Sequence, residues 1–239
     1  MLLSLFNQHF SDFVGRQWLY APDVSDAQIE QFLDFHNQVI VKPHDEGGGK
    51  GIYKTSRSEI ADMKDFCGTA RKERLILEEI VEQHPVLHTL NPASVNTIRI
   101  NTVIDREGTP HVIVATLRIG QGQAVVDNLA AGGIVAHIDL HSGILCAAGM
   151  DKNGRSYIRH PDSGVVIPGL QIPLWDDVIK MVIRAAERAY QLQQFRWVGW
   201  DVAVTEKGPL LIEGNANPCP VVMQLSSQTG YYRIFRRYI

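Results

Sequence analysis

Two stretches of the chain carry side chains whose types and spacing could do chemistry. The first is GWDVAVTEKGPLLIEGNANP, residues 199–218. Apolar residues alternate on either side of a Glu206–Pro209 turn, which predicts a β-hairpin. Counting outward from Lys207 sets Asp201 opposite Glu213 and puts Asn215 on the face of Glu213, because strand side chains alternate. Trp200, Val202, Val204, Leu210 and Ile212 then form the opposite, core face. Two carboxylates facing each other across strands repel. A divalent cation reverses that sign, and Asp, Glu and Asn offer the hard oxygen ligands that suit Mg²⁺. A solvated polar face would use the same residues with no cation, and a one-residue slip of the turn would send Asp201 to the core side.

The second stretch is VIVKPHDEGGGKGIYK, residues 39–54. An apolar strand ends at Lys42 and Pro43, and Gly47, Gly48, Gly49 and Gly51 surround Lys50 before a second strand begins. Consecutive glycines let backbone N–H groups approach a ligand closely, and flanking lysines add charge for phosphate oxygens. A mobile hairpin with solvated lysines is the plain alternative. The pattern is neither GxxxxGK[ST] nor GxGxxG, and strand–loop–strand order offers no helix N-terminus. Arg99 and Arg118 form a third feature. Each lies in a strand otherwise rich in Ile, Val and Thr, and an odd register across the REGTP turn puts both on one face. Paired guanidinium groups in one cleft suit a moving phosphoryl charge; two solvated arginines on a sheet face would need no such role.

These residues need a scaffold, and the chain can supply one. Its 239 residues are 45% hydrophobic and 21% charged, the profile of an ordinary globular protein with a sizeable core. The net charge of −3 gives no reason to expect nucleic-acid binding. Cys67, Cys146 and Cys219 are odd in number and far apart, which argues against a disulfide framework or zinc knuckle and suits a reducing cytoplasm. The opening MLLSLFNQHF lacks a basic n-region and meets Gln and His early, so neither a signal peptide nor a membrane span is expected. None of the nine histidines forms a spaced metal cluster, and His44, His84, His137 and His160 are expected to be supporting polar residues.

The apolar pattern predicts a short amphipathic helix over residues 1–14 and a helix after Ser25, where Gln28 completes a capping box. It predicts strands at VIVKP, GIYKT and RLILEEIV, and one helix across SRSEIADMKDFCGTAR begun by Ser56 and Glu59. Two hairpins follow around REGTP and HSG, then a Pro/Gly-punctuated loop, then a long helix with Pro173 in its first turn. Leu174, Val178, Met181, Val182, Ala185, Ala189 and Leu192 share one face of it. The tail YYRIFRRYI reads as part of a helix. The whole is an α+β pattern with mostly antiparallel sheets and no internal repeat.

Taken in order, VIVKPHDEGGGKGI, LILEEIVEQHP, SVNTIRI, VDNLAAGGIVAHID and the carboxylate hairpin resemble the ATP-grasp superfamily, over roughly residues 38–220. The branch it is most similar to is the sugar-transfer-associated ATP-grasp group, related to α-L-glutamate ligases, and HPDSG…IPGLQIPLWDD fits that branch as well. The resemblance implies two α+β subdomains gripping ATP between them. The segments would be an N-terminal helical part over 1–37, a small subdomain over 38–82 and a large subdomain over 83–239. It implies that Lys42 touches ATP phosphates and that Gly47, Gly48, Gly49, Lys50 and Gly51 fold over them. It places Glu78, Glu79, Ile80 and Val81 at the adenine hinge, with Glu79 as the side-chain contact and Gln83 or His84 toward the ribose. It makes Asp201, Glu213 and Asn215 ligands of Mg²⁺, with Mn²⁺ as a substitute. Arg99 and Arg118 would meet the γ-phosphate or an acyl phosphate, and Asn128 the substrate.

The chemistry so implied is an ATP- and Mg²⁺-dependent ligation of a carboxylate to an amine or thiol through an acyl phosphate. A sugar or small-alcohol phosphotransferase on the same nucleotide site, or a degenerate nucleotide-binding module in a complex, would use the same residues. The expected partners are a small-molecule or peptide carboxylate and an amine, with neither nucleic acid nor membrane. The chain departs from the family's pattern at its start. Against the family's pattern the usual preceding domain is expected to be missing from this sequence; no lysine comes before Lys42, and Arg16 is the only earlier Lys or Arg. A natural short form, a missing piece, a homodimer or a partner supplying that domain would each account for this.

Overall fold

The computed structural model describes residues 2–45, 49–216 and 218–238. All strand pairings are antiparallel, and the chain divides into two compact units. The smaller comprises Leu2–Ser11 and Gly15–Val81; the larger comprises Asp12–Val14 and Glu82 onward. The N-terminal segment is thus largely built into the smaller unit. Among the described residues, no helix is long and apolar enough to cross a membrane.

The smaller unit contains α1 (Leu3–His9), β1 (Trp18–Tyr20), α3 (Asp26–Phe35), β2 (Val39–Pro43), β3 (Tyr53–Thr55), α4 (Met63–Lys72) and β4 (Leu75–Glu79); of α2 (Ser11–Val14), Ser11 is assigned to it and the rest to the larger unit. The sheet runs β1-β4-β2-β3. The helix predicted over residues 1–14 is therefore interrupted at Phe10, where φ is −111° and ψ is 25°. The Ser25 capping box is present, with the Gln28 side chain accepting from the Ser25 N–H at 2.9 Å. Ile29 and Leu33, one turn apart, pack with Val39, Val41, Cys67, Ala70 and Leu77 in one core. The second capping box also forms, but Ser56 and Glu59 close only a single 3₁₀ turn. The helix itself starts at Met63, with Asp62 accepting from the Asp65 N–H at 3.0 Å. A local cap thus formed without the helix continuing from it.

The larger unit is a seven-stranded sheet in the order β11-β10-β5-β6-β7-β8-β9. Its strands are β5 (Ile98–Ile104), β6 (Pro110–Ile119), β7 (Ile134–Ile138), β8 (Gly149–Met150), β9 (Ser156–Tyr157), β10 (Trp197–Thr205) and β11 (Gly208–Ala216). Its helices are α5 (Pro85–His88), α6 (Trp175–Gln193), α7 (Pro220–Ser227) and α8 (Tyr232–Phe235). Pro173 precedes α6, whose N-cap is Leu174 in the left-handed region at φ 53°. Val178, Met181, Val182, Ala185 and Ala189 are buried as the pattern predicts, whereas Leu174 and Leu192 at the two ends are exposed.

The hairpin β10–β11 reaches its expected register by an unexpected route. Thr205 pairs with Gly208 and Val202 with Leu211, so the turn is the two residues Glu206 and Lys207 rather than one centred on Lys207. The ladder then shifts between Asp201 and Val202, leaving Ile212 as the extra residue of a β-bulge, and Asp201 again faces Glu213. The bulge corrects the predicted core face. Leu211 opposes Val202 and Leu210 opposes Ala203, with Ile212 as the extra residue between Leu211 and Glu213. A matching shift between Asn101 and Thr102 makes Ile113 the extra residue on β6.

Candidate active site

In the larger unit one cross-strand row runs through five strands. Glu213 on β11 pairs with Asp201 on β10, Asp201 with Arg99 on β5, Arg99 with Thr116 on β6, and Thr116 with His137 on β7. Direct partners share a face, so these side chains project together. Arg118 lies two residues beyond Thr116 on the same face, so the two arginines do share a face, but the register beside the REGTP turn, with Ile104 opposite Pro110, is not the odd one expected, and the extra residue Ile113 supplies the change. Helix α7 covers the β6 end of this face, where Ser226 and Thr116 hydroxyls meet at 2.8 Å. Met223 and Tyr231 pack there with Val103 and Val114. Gly199 is needed where the chain turns back after β11. A Cβ there would lie 2.7 Å from Pro218 Cβ and 3.2 Å from Arg99 Cδ.

Both arginines converge on Asp201, which is 2% exposed. Arg99 donates Nε to Oδ1, and Nη2 to Oδ2 at 2.9 Å. Arg118 donates Nη1 to the same Oδ2 at 2.7 Å. Burial alone would raise the Asp201 carboxyl, but Arg118 and Arg99 outweigh it and hold it well below the usual carboxylate range. Burial likewise opposes the charge on each guanidinium, and Asp201 offsets that for Arg99, while Asp127 and Asp201 offset it for Arg118. Arg118 also donates Nη2 to Asp127 Oδ1 at 2.5 Å and to Asn128 Oδ1. Asn128, the expected substrate-side residue, is thus joined to the cluster through Arg118.

Glu213 behaves differently. Its Oε1 accepts from Asn215 Nδ2 at 2.8 Å and stands 3.9 Å from Arg99 Nη2. Its carboxyl is pushed up to about 7 by desolvation, then by the charge of Asp201 and a hydrogen bond to it. The side chain nevertheless keeps 43% of its surface open, and the neighbouring charge of Asp201 acts in the same upward direction as burial. Two carboxylates that cannot comfortably ionise together, with the Asn215 amide next to them, supply the hard-oxygen chemistry that suits a divalent cation, although Asn215 now turns its nitrogen to Glu213. Among the described residues no group of three or more His, Cys, Asp or Glu side chains could hold a metal, so Asn215 would have to be the third ligand.

The smaller unit has its own charged centre. Glu78, 1% exposed, accepts from Lys42 Nζ at 2.6 Å, Arg16 Nε at 2.9 Å, Arg16 Nη2 at 3.0 Å and Asn7 Nδ2 at 3.2 Å. Lys42 lies opposite Ile76 on β2, two positions from the residue facing Glu78, which places the two side chains on one face. Burial would raise the Glu78 carboxyl, but Arg16 and Lys42 hold it far below the usual range. Glu79 accepts the Gln17 N–H at 2.9 Å, and Ile80 and Val81 continue beyond the β4 ladder, half-buried. Of the glycine loop, Gly47 and Gly48 lie outside the described residues. Gly49, Lys50 and Gly51 form a turn with Lys50 exposed. Gly51 is fixed as glycine by φ 69° and by Pro43 Cγ, which a Cβ would meet at 2.9 Å.

The remaining candidates serve the scaffold of the larger unit. His84 caps α5, its Nδ1 accepting from Val86 N–H at 3.2 Å. Gln83 donates to the Asn91 and Ser94 carbonyls and accepts from Asn96, so both ends of its amide are engaged within the chain. Asp127 and Arg16 were not singled out by the sequence. The first sits in the VDNLAAGG motif beside Asn128, where the resemblance gives a role only to the asparagine, and the second lies far from Lys42 along the chain. Neither spacing nor residue type announces that each is one arm of a buried ion pair.

The chain belongs to the sugar-transfer-associated ATP-grasp family, whose profile matches residues 23–237. No curated protein matches it in sequence. Among solved structures it is similar to the ATP-grasp ligase PsnB in complex with a precursor peptide and AMPPNP, at 14% identity and a TM-score of 0.57, over 96% of this chain and 55% of that one. It is similar to D-alanyl-alanine synthetase A from Vibrio cholerae at 15% identity and a TM-score of 0.53, over 98% and 60%. It is also similar to an ADP complex of the N5-carboxyaminoimidazole ribonucleotide synthetase PurK at 12% identity and a TM-score of 0.55, over 91% and 45%. The chain spans about half the length of these proteins, and at such identities the likeness establishes the fold. That fold is the ATP-grasp fold, an α+β architecture of antiparallel sheets, and the neighbours it is shared with are ATP-dependent ligases.

Proposed function

We propose that the chain is an ATP- and Mg²⁺-dependent ligase that joins a carboxylate to an amine or thiol through an acyl phosphate. The observation that supports this most is the row Glu213–Asp201–Arg99 with Arg118 beside it, because it sets a hard-oxygen donor set against two guanidinium groups on one sheet face. Asp201, Glu213 and Asn215 would hold the magnesium ion, which when bound supplies charge neutralisation at the phosphates. Arg99 and Arg118 would donate to oxygens of the transferring phosphoryl group and spread its charge. Lys42 and the glycine loop are the phosphate contacts on the smaller unit, and residues 78–81 the adenine contacts.

The substrate carboxylate oxygen bonds to the γ-phosphorus as the bond to the β-phosphate oxygen breaks, and ADP leaves. The amine or thiol then bonds to the acyl carbon, inorganic phosphate departs with the former carboxylate oxygen, and the nucleophile gives up its proton to solvent. Positioning and electrostatics carry this chemistry, so no dedicated general base is required. A peptide carboxylate is as well suited as a small one, since PsnB is described with a precursor peptide.

The test is phosphate release from Mg-ATP across a panel of carboxylates and amines, with hydroxylamine added as trap. Hydroxamate formation marks an acyl phosphate, whereas phosphate transfer to an alcohol without hydroxamate marks a phosphotransferase. Turnover that survives Asp201→Asn combined with Glu213→Gln would sink the proposal.

A further inference from the structure

Asp127 is buried at 4% exposure, and a carboxylate that deep persists only where it is paired and hydrogen-bonded. Its Oδ1 accepts from Arg118 Nη2 at 2.5 Å. Its Oδ2 accepts the Thr97 backbone N–H at 2.8 Å and the Thr97 hydroxyl at 2.5 Å. Arg118 donates its own backbone N–H to the Thr97 carbonyl at 2.8 Å. These bonds close a ring through Thr97, Asp127 and Arg118, so the guanidinium is fixed relative to the strand that carries it. Arg99 has no such ring among the described residues; its guanidinium bonds go to Asp201, with Glu213 3.9 Å away.

The difference bears on how Arg118 keeps its aim. Its second carboxylate, Asp201, is also a proposed cation ligand, and an oxygen shared with a cation attracts a guanidinium less strongly. Asp127 stands apart from that competition, because among the described residues its two oxygens accept from Arg118 and Thr97. The bonds described use three of the five N–H donors of Arg118, leaving two for an incoming anion. We infer that Asp127 is a positioning residue: it holds Arg118 so that its remaining donors meet the transferring phosphoryl group, independently of what Asp201 binds. This rests on the ligase reading above.

The experiment uses the full chain and phosphate release from Mg-ATP. Asp127→Asn keeps the shape and an acceptor for Thr97 but removes the charge that holds Arg118. The expected result is a fall in kcat of about a hundred-fold with KM for ATP held within about two-fold, the pattern of a misplaced transition-state contact. In an Arg118→Lys background the same change should cost almost nothing further. Guanidinium nitrogen NMR gives a second readout: Arg118 signals ordered in the native chain should collapse to the averaged arginine envelope in Asp127→Asn. An unchanged kcat, an equal loss in the Arg118→Lys background, or retained Arg118 signals would each overturn the inference. Should Asp127→Asn not fold, Thr97→Val removes only the hydroxyl, and a kcat equal to that of the native chain would overturn it in the same way. A native chain with no phosphate release under any condition overturns the ligase reading and this inference together, whereas native turnover left intact by Asp127→Asn overturns this inference alone.

Discussion

Glu78→Gln is the perturbation with the most directly readable outcome. The carboxylate is 1% exposed and stands between Arg16, whose side chain is 2% exposed, and Lys42, at 13%. A glutamine keeps the volume and one acceptor but leaves both cations facing a neutral group. Removing one partner from a buried ion pair costs about 3–5 kcal/mol. The loss falls on the smaller unit, whose sheet Glu78 joins through β4, so the assay is hydrogen exchange of amides in β1, β2 and β4. Protection there should drop by roughly a hundred- to a few-thousand-fold, with β5 to β10 little affected. The pH dependence supplies a second check. Because the folded-state carboxyl is depressed, its contribution is present above the unfolded pKa of about 4.3 and is lost as pH falls below that value. The gap between native and variant should therefore be full at neutral pH and close in acid. Arg16→Met added to Glu78→Gln should recover part of the loss, since it removes one of the stranded cations. A gap below about 1 kcal/mol at neutral pH, the range of an exposed pair, or one that does not shrink in acid, would refute the reasoning.

Asp201→Asn should destabilise the larger unit by about 3–5 kcal/mol, because Arg99 and Arg118 both lose their shared carboxylate; urea unfolding read at Trp200 measures it. The same change should return the Glu213 carboxyl from about 7 toward the ordinary range, since the charge and hydrogen bond of Asp201 help to raise it, as carboxyl-carbon NMR against pH would record. While that carboxyl is raised, the native chain should lose stability as pH climbs from about 4.3 to neutrality, and Glu213→Gln should abolish this slope. Gly51→Ala should cost about 1–3 kcal/mol, combining a left-handed backbone with a 2.9 Å approach to Pro43, whereas Gly68→Ala, in open space within α4, should stabilise by about 0.5–1 kcal/mol; thermal unfolding compares them.

Much of the candidate site was legible because strand alternation is a rigid rule. Asp201 opposite Glu213 follows from period two and a hairpin count, whereas Arg99 and Arg118 share a face only because the extra residue Ile113 shifts the ladder between the REGTP turn and Arg99. The bulge at Ile212 was not legible, since an extra residue in a strand has no signature apart from the pairing it disturbs, and here it offset a half-residue error in the turn centre. Strand β1 escaped notice because three residues are too few to show alternation. The pattern of segment 144–168 predicts a hairpin arm and a loop, and the segment contains mostly isolated bridges with the two-residue strands β8 and β9. Asp127 and Arg16 could not be read from pattern. Their importance lies in partners 9 and 62 residues away, and a buried ion pair depends on tertiary contact that local spacing does not encode.

The pairing of the hairpin β10–β11 also makes its tip a place for engineering. Asp201 is held by its pairing to Arg99 on β5 and Glu213 by its pairing to Asp201, and the turn lies outside these pairs, beyond Thr205 and Gly208. Glu206 and Lys207 are exposed. A short flexible insertion between them, carrying a fluorophore or an affinity handle, would extend the hairpin outward while Asp201 and Glu213 keep their partners. The hairpin could then report on binding at the site from a position that takes no part in it.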